Sequence, residues 1–266
     1  MEKKVWISQK EYSLTKKNLE LLFNNLIPAI RVKKFADLNE CNSFKNAINW
    51  AEENNIMKYY SVKPKVGYIG TAQVEYRWGH KKSNYFNSVR EAWRDWKKVI
   101  GHSWNPLEKF INLLSSISGF DAKIAQETNY GDLFAGIIRK ASNGIGRHVD
   151  FAPMNSPEYD IAHINSQLGW NLFVDSPEEG GITTIYNRPW NVNITKGEDP
   201  PMSYGLSDEH ILGSEKFSYK PISGDVVIFN SRNPHEVSPG NLNDNERLQI
   251  GSFIGRLPDN NLLLWS

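Results

Sequence analysis

The sequence predicts an all-β core with a helical layer packed against it, and three observations predict it. Up to about residue 120, apolar residues recur at three- and four-residue steps, the spacing of one helix face. From about residue 121, short runs rich in Ile, Val and Phe alternate with clusters of Gly, Pro, Asn and Asp, as strands alternate with turns. The chain of 266 residues is 39% hydrophobic and 12% aromatic, enough apolar material for a sizeable core.

Leu19, Leu22 and Leu26 make a first helical stripe, and Phe44, Ile48 and Ala51 a second. Phe86, Val89, Trp93, Trp96 and Ile100 make a longer one, expected to stop at Gly101, a residue free to adopt the left-handed conformation past a helix end. The next helix opens at Asn105-Pro106-Leu107-Glu108, where Asn caps, Pro fits the first turn and Glu takes the capping-box position, and it closes before Gly119. Strands are expected over 132–140, 147–151, 169–174, 182–186, 225–229 and 247–255. The polar stretch 191–215, with Asp199-Pro200-Pro201, reads as a long excursion between strands. Leu262-Leu263-Leu264-Trp265 reads as a packing strap. With no repeat and no convincing linker, the expectation is one domain over 1–266, in which residues 1–120 buttress a β core of 121–266.

Charge narrows the partners. Lys and Arg number 31 against 30 Asp and Glu, and the lysine pairs along the chain are scattered among acids, so no nucleic-acid partner is expected. No run approaches the roughly 18 apolar residues of a membrane span, which argues against a membrane partner. Cys41 is the single cysteine, and the first residues lack the apolar run of a secretory signal. A soluble, cytoplasmic protein, monomer or homodimer, with a small-molecule partner is the expectation.

Chemistry concentrates in two segments. In Gly146-Arg147-His148-Val149-Asp150, positions i and i+2 of a strand project to one side, so His148 and Asp150 share a space that Val149 faces away from. Alone, the pair is as consistent with a surface ion pair. In the second segment, the apolar strand Asp225-Val226-Val227-Ile228-Phe229 leaves a turn, and His235 follows just past its end; 12 residues later Arg247 opens another apolar strand. Two imidazoles and one carboxylate form the face that holds Fe(II) by three ligands and leaves three positions open, with residual charge that favours an anionic, chelating cosubstrate. Arg247 offers a five-donor fork for the far carboxylate of such a molecule. His80, His102, His163 and His210 have no acid two residues on and are expected on surfaces or loops.

With these residues in this order, the chain resembles the non-haem Fe(II)- and 2-oxoglutarate-dependent oxygenases. Their fold is a double-stranded β-helix, a cupin-like jelly roll, and their motif is His-x-Asp, a distal His and a later Arg, matched by His148, Asp150, His235 and Arg247. The resemblance implies that the first three residues bind iron and are catalytic, that Arg247 holds 2-oxoglutarate, and that O2 is consumed. Many members place Ser or Thr two residues after the arginine; here Gln249 stands there and can still donate to the cosubstrate.

A narrower similarity over roughly residues 60 to 266 rests on Gly67-Tyr68-Ile69-Gly70-Thr71-Ala72-Gln73, the helix end at 113–119, Pro177-Glu178-Glu179-Gly180-Gly181 and Ile250-Gly251-Ser252-Phe253-Ile254-Gly255. It is to a bacterial subgroup of halogenases of freestanding small molecules, free amino acids and alkaloids among them, and to related hydroxylases. Halogenating members carry Gly in place of the carboxylate ligand. Asp150 therefore implies hydroxylation of an unactivated aliphatic C–H, with release of succinate and CO2.

A free amino acid is the expected substrate, with lysine or a similar basic one first. Trp170 and Ser252, on strands that line the barrel in this fold, and Glu127, which with Glu75 and Asp132 is able to pair a substrate amine, are the candidate substrate residues. The alternatives are a larger specialised metabolite, desaturation or cyclisation by the same iron chemistry, and a jelly-roll module that binds without turnover.

Overall fold

The computed structural model describes residues 5–62, 65–77, 81–141, 143–190, 203–240 and 247–266. Among them, a mostly antiparallel sheet of ten strands runs in the order Glu11–Tyr12, Ala29–Val32, Val226–Phe229, Ser166–Asp175, Arg247–Arg256, Ile137–Ala141, Gly67–Ile69, Lys58–Tyr59. Leu262–Trp265 pairs with Arg247–Arg256 and, in parallel, with Ala122–Ile124. A smaller sheet has the order Lys216–Tyr219, Thr183–Tyr186, His235–Val237, Ile145–His148. This is a jelly-roll pair of sheets that does not close into a barrel.

Burial explains the layers. The Ser166–Asp175 strand is apolar on both faces because both are covered. Trp170 and Leu172 face the helical layer, whereas Phe173 packs with Ile185 and Tyr219 of the smaller sheet. On the helical side, the Phe110 ring stacks on Trp170 at 4.0 Å and 18°.

The helices are Lys16–Phe23, Leu38–Glu53, Lys82–Gly101 and Pro106–Ser118. Their starts are set locally: Asp37 and Glu40 form a full capping box, and Asn105 accepts from the Glu108 amide at 3.2 Å. The last helix ends on Gly119 at φ +74°, as its glycine predicts. Gly101 behaves otherwise. It lies within the helix, and the cap is His102, whose ring stacks on Trp50 at 3.8 Å. That aromatic contact holds the helix end, so no left-handed glycine is needed.

Several expectations are corrected. Residues 1–120 are more than a buttress, because Ala29–Val32 and Gly67–Ile69 belong to the large sheet. Ala29–Val32 escapes pattern reading because Arg31 interrupts it. That guanidinium is buried and satisfied by both Glu11 oxygens at 2.6 Å and by Asp225 at 3.1 Å. The 132–140 strand splits into Gly131–Asp132 and Ile137–Ala141, broken at Gly136 with φ +84°. The 147–151 strand moves to Ile145–His148, and the C-terminal strap is a strand. His80 and residues 191–202 of the 191–215 excursion lie outside the described residues. Among the described residues, no helix is long and apolar enough to cross a membrane.

Candidate metal centre

His148 ends one strand of the smaller sheet and His235 begins its neighbour, and the two are register partners with ring centroids 4.1 Å apart. Each ring is oriented the same way. Nδ1 of His148 lies 2.8 Å from the Gly146 carbonyl and Nδ1 of His235 lies 2.9 Å from that of Asn233. A carbonyl only accepts, so both Nδ1 atoms carry the proton and both Nε2 lone pairs are left for a metal. Asp150 lies just past the strand, where its amide donates to the Ser231 carbonyl at 2.9 Å and the Ser231 hydroxyl donates back at 3.0 Å. This places one Asp150 oxygen 3.6 Å from His148 Nε2 and 3.5 Å from His235 Nε2.

The ligand atoms of all three lie within 4.8 Å of one another, the one such group found among the described residues. Burial, reinforced by His235, pushes the His148 imidazole down to about 4, so it is neutral at pH 7. Burial alone would raise the Asp150 carboxyl, but the two histidines outweigh it and hold the group below its ordinary range. Neutral imidazoles and an ionised carboxylate are the protonation states that a ferrous ion requires.

The group opens into a cavity of about 500 Å³ between the two sheets. Arg247 and Gln249 border it from the Arg247–Arg256 strand, with Gly251 next on the same face. A Cβ at Gly251 would meet Asn171 Oδ1 at 2.6 Å, so the glycine makes room for a cavity-side amide. Arg247 is buried with its guanidinium 5.0 Å over the Phe173 ring, and burial, only partly offset by Tyr219, pushes it down to about 10.

Two buried polar atoms here, Arg247 Nε and Gln249 Oε1, have no protein hydrogen-bond partner, and the buried Thr183 Oγ1 and Tyr219 Oη have none beyond each other. Buried polar groups are nearly always satisfied. The Arg247 N–H and the Thr183 and Tyr219 hydroxyls can donate and so suit the carboxylate of an anionic cosubstrate, whereas Gln249 could serve it only through its amide N–H, because its oxygen accepts. Thr183 and Tyr219, register partners in the smaller sheet, were not among the expected site residues. Their strands meet Arg247 only through the facing of the two sheets, and nothing local in the sequence marks them.

Two of the three expected substrate residues border the cavity without aiming a side chain at it. Trp170 and Ser252 are register partners on the helical face, where Trp170 Nε1 donates to Ser252 Oγ at 2.5 Å. Strand alternation accounts for this: if Arg247 and Gln249 face the cavity, position 252 faces away. Glu127 is not at the cavity at all. It is buried between the Lys82 ammonium, with which it forms an ion pair, and the Asp160 amide, which donates to it at 2.8 Å. Asp132 is exposed and bonds Gln126.

Glu75 does border the cavity and accepts from the Tyr60 hydroxyl at 2.6 Å. Arg77 and Arg139 border it too, and neither was expected. His102, His163 and His210 are elsewhere, stacked on Trp50, exposed beside Asp160, and facing Trp190.

Comparison with known proteins extends these observations. A family profile described as carrier-protein-independent halogenase WelO5 matches residues 3–266. The match therefore includes the N-terminal segment that precedes the motif-bearing part of the chain, in keeping with the place of Ala29–Val32 in the large sheet. The chain is 33% identical over 224 residues to leucinostatins biosynthesis cluster protein S of Purpureocillium lilacinum, covering 79% of this chain and 90% of that protein. It is 28% identical over 206 residues to the L-gamma-glutamyl-L-propargylglycine hydroxylase of Streptantibioticus cattleyicolor, covering 74% and 73%. In fold it is similar to an N-substituted L-amino acid dioxygenase from Burkholderia ambifaria AMMD solved in complex with alpha-KG, with a TM-score of 0.61 at 16% identity, covering 94% of this chain and 90% of that one.

Proposed function

The chain belongs to the carrier-protein-independent halogenase family and is an Fe(II)- and 2-oxoglutarate-dependent oxygenase, and from that premise we propose that it hydroxylates an aliphatic C–H of an amino acid or amino-acid derivative. Asp150 carries the choice of hydroxylation. It offers a third ligand atom beside the two imidazoles, and in this reading it fills the coordination position where the resemblance gives halogenating members Gly and chloride. The amino-acid class is supported by the names of two relatives, the hydroxylase and the dioxygenase above.

In this reading, His148, Asp150 and His235 hold the metal ion. Arg247, with Gln249, Thr183 and Tyr219 about it, holds the distal carboxylate of 2-oxoglutarate. Iron and 2-oxoglutarate, when bound, supply the oxidising chemistry that consumes O2 and releases succinate and CO2. The protein's own contribution is positional. The carbonyls of Gly146 and Asn233 lock the imidazole tautomers. Arg247 fixes which way the cosubstrate lies, and the cavity between the sheets decides which C–H comes near the metal.

The test is anaerobic loading with Fe(II) and 2-oxoglutarate, then oxygen, against free amino acids, amino-acid derivatives and amines, with lysine and its analogues included as the finer expectation. Substrate-stimulated succinate with a product heavier by one oxygen supports hydroxylation. A product lighter by two hydrogens replaces it with desaturation, and ligand binding with no turnover replaces it with a binding module. Asp150→Gly is expected to abolish hydroxylation, and retention of normal hydroxylation would remove Asp150 from the ligand set.

A further inference from the structure

The turn between Val226–Phe229 and His235–Val237 serves two of the three candidate metal ligands. Ser231 holds the backbone of Asp150 through two hydrogen bonds, and the Asn233 carbonyl accepts from His235 Nδ1 at 2.9 Å. Where those ligand atoms sit therefore depends on what holds the turn. Asn230, Ser231 and Asn233 are all fully buried, so protein and not solvent holds it.

Its anchor is the end of the Lys16–Phe23 helix, 208 residues earlier in the chain. Asn230 Nδ2 donates to the Leu22 carbonyl at 3.3 Å, and Asn233 Nδ2 donates to Asn25 Oδ1 at 2.6 Å. Asn25 closes that helix. Its φ is +58°, and the Asn25 and Leu26 amides bond the carbonyls of Leu22 and Leu21, the pairing of a left-handed helix stop. Glycine is the usual residue at such a stop, and an asparagine would serve there with its side chain in water. Here Asn25 is instead 2% exposed, and both polar atoms of its side chain are bonded within the protein. The helix stop accounts for its backbone and leaves the buried amide unexplained.

That amide belongs to a chain of hydrogen bonds with one direction. Asn233 Nδ2 donates to Asn25 Oδ1, Asn25 Nδ2 donates to Asn187 Oδ1 at 2.8 Å, and Asn187 Nδ2 donates to a Glu215 carboxylate oxygen at 2.9 Å. Both ends fix the direction. A carboxylate only accepts, and the Arg188 backbone N–H, which bonds Asn233 Oδ1 at 3.1 Å, only donates. No amide in the chain can turn over without setting like atoms against each other in a buried site, so Asn233 is held in one orientation.

Resting on the metal-ligand assignment above, we propose that Asn25 is a positioning residue for His235: by holding the Asn233 amide it fixes the carbonyl that aims the His235 imidazole, and so raises the affinity of the metal centre. A ligand already aimed loses little freedom when the metal arrives, and that saving is read in the dissociation constant of the metal.

The probe is Co(II) alone, titrated anaerobically into the metal-free full chain without 2-oxoglutarate and followed by its visible absorption, below the melting temperature of each variant. Asn25→Gly is the first variant, because glycine keeps the positive φ and removes only the amide. Its Co(II) dissociation constant is expected to rise about tenfold, the low end of what losing a partner of a metal-binding histidine costs. Phe110→Ala, which removes a ring stacked on Trp170 in the helical layer, is the control for lost stability and is expected to leave the constant within about twofold of the parent. Asn233→Ala removes the next link. Because the two residues act in series, Asn25→Gly in that background is expected to add little.

An Asn25→Gly constant equal to the parent's overturns the proposal, and so does an equal rise in Phe110→Ala, which would make the effect one of general stability. Effects of Asn25→Gly and Asn233→Ala that simply add also overturn it, since independent effects leave no link between the two. Should Asn233→Ala fail to fold, the first comparison decides alone. A parent chain that binds no Co(II), or that binds it equally well with His235→Ala, would instead overturn the metal-ligand assignment and the proposal with it.

Discussion

Removing the Arg247 charge should move stability and cosubstrate affinity in opposite directions. Burial holds this guanidinium at about 10 rather than 12.5, a depression that costs the folded chain on the order of 3 kcal/mol at pH 7. Arg247→Met keeps an unbranched stem against Phe173 and forgoes a cation–π contact worth about 1 kcal/mol. The ligand-free variant is therefore expected to be more stable than the parent by about 1–2 kcal/mol, or several degrees in Tm for a chain of this size. Two hydrogen bonds to a charged group at about 1.5 kcal/mol or more each are lost from the bound cosubstrate, weakening it roughly 150-fold. The assay is an anaerobic thermal melt with Fe(II), with and without 2-oxoglutarate. At a concentration about 100 times the parent Kd the parent gains about 2.7 kcal/mol, and the variant gains little. A ligand-free variant that melts below the parent would refute the account of an uncompensated buried charge. Equal stabilisation by 2-oxoglutarate would refute the assignment of Arg247 to it.

Three further outcomes follow from the same geometry. His148 is held at about 4 against an ordinary 6.5, so between those values the unfolded chain takes up a proton that the folded chain refuses. Metal-free stability therefore falls as pH drops from 6.5 toward 4, and denaturant titrations should show a shallower fall for His148→Asn. Phe110 is fully buried against Trp170, and Phe110→Ala is expected to cost about 3–5 kcal/mol in the same titrations; a cost under about 1 kcal/mol would mean that the helical layer is not packed there. Glu127→Gln should lower stability by about 1–3 kcal/mol with substrate KM unmoved, since its partners are Lys82 and the Asp160 amide; a raised substrate KM would return Glu127 to the cavity.

Local signals carry a good part of the structure. The Pro106–Ser118 helix is readable from Asn105, Pro106 and Gly119 because each acts on backbone within one turn of itself. His148 and Asp150 are readable as a pair because i and i+2 project together on extended backbone, although the strand ends at His148 and the two hydrogen bonds with Ser231 fix Asp150 beyond it. The same alternation, applied consistently from Arg247, places Ser252 on the far face, so that misplacement comes from the reading rather than from any silence in the chain. The Ala29–Val32 strand is different: Arg31 is tolerable there only because Glu11 and Asp225 arrive from elsewhere to neutralise it.

Residue order and periodicity thus point to most of the helices and core strands, which depend on backbone geometry over a few positions, and the motif points to the three candidate metal ligands and the arginine through the family it resembles. Which strand lies beside which is settled by pairing and burial between segments far apart in the chain. That long-range register is what joins Thr183, Tyr219 and Arg139 to Arg247 around one cavity and sends Glu127 away from it. Such convergence has no local free-energy signature, so it exists only once the two sheets have packed.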